Sequence, residues 1–126
     1  MLVKVVDASA IGALLFGEPD GPNIAHRLSG SRLAAPELLF FEVANICLKK
    51  LKRYPDRREV ILEAFKMLRR LTMQSVEVDY DEVVLLAERY GLTAYDASYL
   101  WLARRLGAEL VTLDQKLEEA WMAGRS

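Results

Sequence analysis

The segment LVKVVDASAIGALL, residues 2–15, sets the architecture of the chain. Leu2 to Val6 reads as a short buried strand. Asp7 stops it with a charge, and Ser9 can then cap a helix running through Ile11, Leu14 and Leu15. The same arrangement returns near the other end, where Glu109 to Thr112 reads as a final buried strand and Asp114 follows it. Two buried strands that each finish in an aspartate place two carboxylates on one rim of a sheet.

Between these ends, helices and strands alternate. Gly17, Pro19 and Gly21 punctuate a turn, and a second short helix carries Ile24, His26 and Leu28. Leu33 to Ala35 makes a brief strand that Pro36 ends. A long helix spans about Glu37 to Arg53. It breaks at Tyr54-Pro55-Asp56, because the residue before a proline resists helical geometry. Another helix runs to about Leu71, and Ser75 to Val78 is a short strand with Glu77 as its polar alternation. Helices follow at Tyr80 to Tyr90 and Ala94 to Leu106, separated by Gly91-Leu92-Thr93, and Gly107 ends the second of them. Lys116 to Met122 gives a terminal helical turn or two. Short apolar strands between helices predict a parallel sheet covered on both faces. Sheets of this kind carry their chemistry at the carboxyl ends of the strands.

A chain of 126 residues fits one domain spanning 1–126, with no repeat or linker. Half the residues are hydrophobic, enough for a core. With 17 basic and 18 acidic residues the net charge is -1, which excludes a generally basic nucleic-acid binder but leaves room for a local basic patch. The single cysteine, Cys47, rules out an intrachain disulfide, suits a reducing compartment, and reads as a small buried hydrophobe. Lys4 and Asp7 interrupt the apolar N-terminus, so neither a signal peptide nor a membrane span is expected, and the reading is cytoplasmic.

Two further acids stand out by their surroundings. Glu42 is the only charge in LLFFEVANICL, residues 38–48, and Asn45 lies three positions on, on the same helix face. Asp96 is the only charge in LTAYDASYLWLA, residues 92–103. A buried carboxylate must be paired, bind a metal or give up its charge. The expectation is that Asp7, Glu42, Asp96 and Asp114 have no basic partner at hand and share an external cation. Oxygen-only ligands favour Mg²⁺ or Mn²⁺ over zinc, and His26 falls on a surface-type helix. Capping is a competing account for Asp7, Asp114 and Asp96 taken singly. It does not suit Glu42, which lies well inside its helix; there the competing account is an arginine from another helix.

These motifs resemble those of the PIN-domain family, in particular the VapC-type toxin ribonucleases. The resemblance covers nearly the whole chain and rests on VVDASAI, PELLFFEVANIC, LTAYDASYLWLA and LVTLD in that order. It implies a three-layer α/β/α domain with a short central parallel sheet of four strands, or five if an edge strand follows. It also implies Mg²⁺- or Mn²⁺-dependent endoribonuclease activity, a homodimer, and a cognate antitoxin of the VapB type. The family's acidic positions fall on Asp7, Glu42, Asp96 and Asp114. Its neighbouring polar positions fall on Ser9, Asn45 and Thr112, expected to orient carboxylates or water. Two departures are visible. Gln115-Lys116-Leu117 follows the last aspartate where relatives often carry an aromatic residue, and residues 121–126 give no sign of a further strand.

An acidic pocket repels RNA, so basic groups must hold the strand elsewhere. The densest group is Lys49, Lys50, Lys52, Arg53, Arg57 and Arg58, although cations are favoured at a helix C-terminus in any case. Phe40, Phe41, Tyr95, Tyr99 and Trp101 read as core or subunit interface rather than base-stacking platforms. Other Mg²⁺-binding readings fare worse. A receiver-like signalling domain would need paired acids after the first strand and a lysine after the last, where this chain has Val6-Asp7-Ala8 and Asp114-Gln115. A haloacid-dehalogenase-like phosphatase would need an aspartate where Ser9 stands. A non-catalytic interaction module would not need an intact acidic set.

Overall fold

The computed structural model of the protein describes residues 2–124. Its elements run β1 (Val3–Val6), α1 (Ala8–Leu15), α2 (Gly21–Leu28), β2 (Arg32–Pro36), α3 (Leu38–Arg53), α4 (Arg58–Lys66), β3 (Met73–Val76), α5 (Tyr80–Tyr90), α6 (Ala94–Leu106), β4 (Glu109–Val111) and α7 (Gln115–Ala123). Short 3-10 turns at Pro55–Arg57 and Met67–Arg70 flank α4.

The local chemistry explains the element ends. Asp79 accepts from the Glu82 amide at 3.0 Å and starts α5. Thr93 accepts from the Asp96 amide at 3.1 Å and starts α6. Each of these helices ends on a left-handed glycine, Gly91 at φ 65° and Gly107 at φ 61°, a conformation in which a Cβ would be strained.

All four strands are parallel, in the order β3-β2-β1-β4. The chain moves outward from β1 to β2 to β3, then returns to the far side of β1 as β4. With right-handed crossovers, α1 to α4 cover one face and α5 and α6 the other. The boundary between β1 and β4 is thus the topological switch point, where open α/β sheets bind their ligands.

The core is apolar on both faces. Val5, Val6, Leu110 and Val111 from the strands meet Ile11, Ile24, Leu39 and Val43 from the first layer and Leu100 and Leu102 from the second, all fully buried. Each such side chain contributes about 1.5–3 kcal/mol of burial free energy. Cys47 is buried and free, as expected of a small hydrophobe.

Three expectations shift. The third strand lies at Met73–Val76, not Ser75–Val78, because its parallel partner β2 ends where Pro36 faces Val76. The cap of α1 is Asp7 rather than Ser9: the strand ends early enough for the aspartate itself to accept from the Ala10 amide. No fifth strand occurs among the described residues, where α7 continues to Ala123; Arg125 and Ser126 lie outside them. No described helix is long and apolar enough to cross a membrane.

Candidate active site

Asp7 and Asp114 follow β1 and β4 and therefore flank the switch point. Asp7 is 5% exposed, and its carboxylate is held from three directions. The Ser9 hydroxyl donates to Oδ1 at 2.7 Å, the Ala10 amide donates to Oδ1 at 3.1 Å, and the Thr112 hydroxyl donates a short bond to Oδ2. The same two hydroxyls organise the second acid. Thr112 Oγ1 accepts from the Asp114 amide at 3.0 Å, and Ser9 Oγ accepts from the Leu113 amide at 2.9 Å. Asp114 in turn caps α7, accepting from the Leu117 amide at 2.9 Å. The capping account of Asp7 and Asp114 is therefore correct as far as it goes. It occupies one oxygen of each carboxylate, Oδ1.

Glu42 and Asp96 come from helices in opposite layers. Glu42 projects from the middle of α3 and is half-buried. Among the described residues no arginine meets it; instead the Tyr99 hydroxyl donates to Oε1 at 2.6 Å. Asp96 sits in the first turn of α6, capped by Thr93 rather than capping it.

The electrostatics join the four into one group. Burial pushes the Asp7 carboxyl above the ordinary aspartate range, Thr112, Ser9 and the Ala10 amide pull it back, and the charge of Asp114 pushes it further up. Burial also raises Glu42 against the pull of Tyr99, with the charges of Asp96 and Asp7 adding to the rise. Asp96 is raised by burial and by Asp114, against the Thr93 hydroxyl and the charge of Lys116. Asp7, Glu42 and Asp96 thus each feel the charge of at least one other acid of the set. Lys116, the second residue of α7, corrects the expectation that no basic partner is at hand: its charge lowers Asp96 against the effects of burial and Asp114.

The donor set is oxygen throughout. His26 is exposed on α2 and Cys47 is buried in α3, neither of them part of this group. Hard divalent cations suit such a set. Among the described residues, no three acidic, histidine or cysteine side chains converge tightly enough to enclose an ion unaided. Mutual repulsion keeps such carboxylates apart, and an ion that retains several waters, as Mg²⁺ does, needs few direct protein ligands. The chemistry of the donors fits such an ion.

The remaining expected residues divide. Ser9 and Thr112 lie within the site and bind its carboxylates. Asn45 is exposed and lines a shallow hollow with Glu42, Leu38, Phe41, Leu48 and Tyr95. Phe41 is 78% exposed and Tyr95 64%, so neither belongs to the core. Tyr99 does, at 1% exposure, yet its hydroxyl reaches Glu42; it is the residue that sequence reading passed over. Its spacing of three from Asp96, one helical turn on the same face, was the available signal. In the basic group, Lys49, Lys52 and Arg53 are exposed or nearly so at the end of α3. Lys50 is engaged by Glu18 at 3.0 Å and lies over the Phe16 ring, so it is less available to a phosphate.

The PIN domain family profile matches residues 4–120. Ribonuclease VapC3 of Pyrobaculum aerophilum is 33% identical over 124 residues, covering 94% of this chain and 95% of that protein. Exonuclease VapC9 of the same organism is 32% identical over 120 residues, covering 90% and 81%. VapC ribonuclease Mb0985 of Mycobacterium bovis is 35% identical over 125 residues, covering 94% and 91%. The crystal structure of PAE2754 from Pyrobaculum aerophilum superposes with a TM-score of 0.77 at 29% identity, over 94% of this chain and 84% of that one.

Proposed function

The chain belongs to the PIN domain family, and from that premise we propose that it is a divalent-metal-dependent endoribonuclease, the toxin of a VapBC-type toxin–antitoxin pair. The observation that carries the chemistry is the group of carboxylates at the switch point, in which the charge of Asp114 raises Asp7 and Asp96, and the charges of Asp96 and Asp7 raise Glu42. The family assignment sets aside the receiver and phosphatase readings.

Phosphodiester hydrolysis needs an activated water, charge stabilisation at phosphorus and help for the leaving oxygen. A bound Mg²⁺ or Mn²⁺ supplies acidity to water and positive charge beside the phosphate. Asp7, Asp96 and Asp114 would hold the ion directly or through water. Glu42 would be a further ligand or would orient the attacking water. Ser9 and Thr112 fix the Asp7 carboxylate so that its geometry is set before substrate arrives. Lys49, Lys52 and Arg53 would draw the RNA backbone to the domain from outside the acidic pocket. The RNA substrate, a VapB-like antitoxin, a cytoplasmic setting and a homodimer that covers exposed apolar residues such as Phe41 complete the reading.

The relatives' names include both ribonuclease and exonuclease, so the test must separate the two modes. A circular RNA has no end. Cleavage of circular RNA with Mn²⁺ or Mg²⁺, abolished by EDTA and restored by added metal, is the expected outcome. Activity on linear RNA alone would make the enzyme an exonuclease. No metal-dependent cleavage of either, together with no Mn²⁺ binding, would leave a non-catalytic PIN-like module.

A further inference from the structure

The four carboxylates are not held alike. Asp7 has three donors and Asp114 has a helix cap, all from residues within a few positions of the two strand ends. Glu42 has no such local frame. It lies in the interior of α3, where the neighbouring backbone amides are already spent on the helix, and its side chain has three rotatable bonds. Left alone, it would sample several rotamers, and ordering it carries an entropic cost.

The one strong restraint reaches it across the molecule. Tyr99 is 1% exposed, the largest of the fully buried side chains. It stands on α6, in the layer opposite α3, and its hydroxyl donates to Glu42 Oε1 at 2.6 Å. The ring is clamped by the core, so the hydroxyl is a fixed point rather than a mobile partner. Three residues earlier on the same face, Asp96 enters the site directly. Helix α6 therefore supplies one acid and, through Tyr99, sets the position of another.

We infer that Tyr99 is a positioning residue: its hydroxyl pins Oε1 of Glu42 and leaves Oε2 as the oxygen offered to the divalent ion or its water. This rests on the reading of Glu42 as part of the metal centre. A tyrosine that served packing alone would need no hydroxyl, and phenylalanine would replace it without consequence for the site.

The experiment is Mn²⁺ binding by calorimetry to the full chain, in wild type, Tyr99→Phe, Glu42→Gln and the double variant, with thermal melting in EDTA alongside. Loss of a group that orients a ligand costs about 10–100-fold in metal affinity. Tyr99→Phe keeps the ring and is expected to lose about tenfold in Mn²⁺ affinity. In the Glu42→Gln background the same change is expected to do nothing further, because the pinned carboxylate is already gone. A fall in melting temperature without a fall in affinity would reduce Tyr99 to packing and overturn the inference. An equal loss in both backgrounds would overturn it too, since the effect would not pass through Glu42. If Glu42→Gln itself leaves Mn²⁺ affinity unchanged while Asp7→Asn lowers it, Glu42 is no part of the centre and the inference falls with that assignment. If neither variant affects Mn²⁺ binding, the metal-centre reading itself has failed.

Discussion

The two ends of strands β1 and β4 treat charge in opposite ways. At the amino end, Glu109 of β4 meets Lys4 of β1 at 3.4 Å and Arg27 of α2 at 2.9 Å. One acid faces two cations, and the account closes within the chain. At the carboxyl end, Asp7, Glu42, Asp96 and Asp114 lie near enough for their charges to act on one another, and the charge of Lys116 acts on Asp96. The same strands and the same register thus carry a satisfied ion pair at one rim and an excess of negative charge at the other. The first rim is what a fold does with charge when stability is all that matters. On the reading proposed above, the second is the rim that would gain from a positive charge supplied from outside.

The largest effect should come from the carboxyl rim. Asp7→Asn is expected to lower RNA cleavage by about a thousandfold or more, since a metal's charge stabilisation is worth several kcal/mol and each 1.4 kcal/mol is about tenfold in rate. The same variant should not be destabilised in EDTA at neutral pH. Asp7 is raised above its usual range, so its contribution to stability is fully present below the unfolded value of about 3.9 and is lost as pH rises through the folded one. An asparagine keeps an oxygen for Ser9 and Ala10 without that penalty. Wild-type cleavage by Asp7→Asn, or collapse of its fold, would erase the distinction between the rims.

The amino rim should behave as its mirror image. Burial pushes Glu109 up, but the hydrogen bond from Arg27 and the charge of Lys4 outweigh it and hold the carboxyl below the usual range. Its stabilising contribution is present above the unfolded value and is lost as pH falls through the lower, folded one. The pair is part-exposed, so Glu109→Gln is expected to cost only about 0.5–1 kcal/mol at pH 7. That is a few degrees of melting temperature, a gap that narrows in acid, and RNA cleavage should be unchanged. A large loss of cleavage would mean that the two rims are coupled.

Much of this was legible in the residues, and for physical reasons. Asp7 and Asp114 are readable because a buried strand that ends in a charge can put that charge only at its rim. Glu42 and Asp96 are readable because a lone acid in an apolar helix needs an explanation. Ser9 lies against Asp7 but is not the helix cap, because α1 already begins at Ala8 and Asp7 itself takes the capping bond. Tyr99 was assigned to the core, which is where its ring is; an alignment of apolar residues does not reveal where a hydroxyl at the tip will land. Lys116 lies two positions beyond Asp114 but acts on Asp96, a pairing that exists only once α6 and α7 are packed together. The edge strand β3 was read two residues late because its limits are set by β2, its partner, and not by its own composition.

The claim that the carboxyl rim is built around a divalent ion can be tested without any RNA, by thermal melting of the wild-type chain and Asp7→Asn in EDTA and across a Mn²⁺ titration. At about 100 times the dissociation constant, a ligand that binds only the folded state adds about 2.7 kcal/mol, roughly 5–10 °C for a domain of this size. The wild-type chain is expected to gain about that much and Asp7→Asn little of it. A wild-type melting temperature that stays flat from EDTA to millimolar Mn²⁺ would contradict the account.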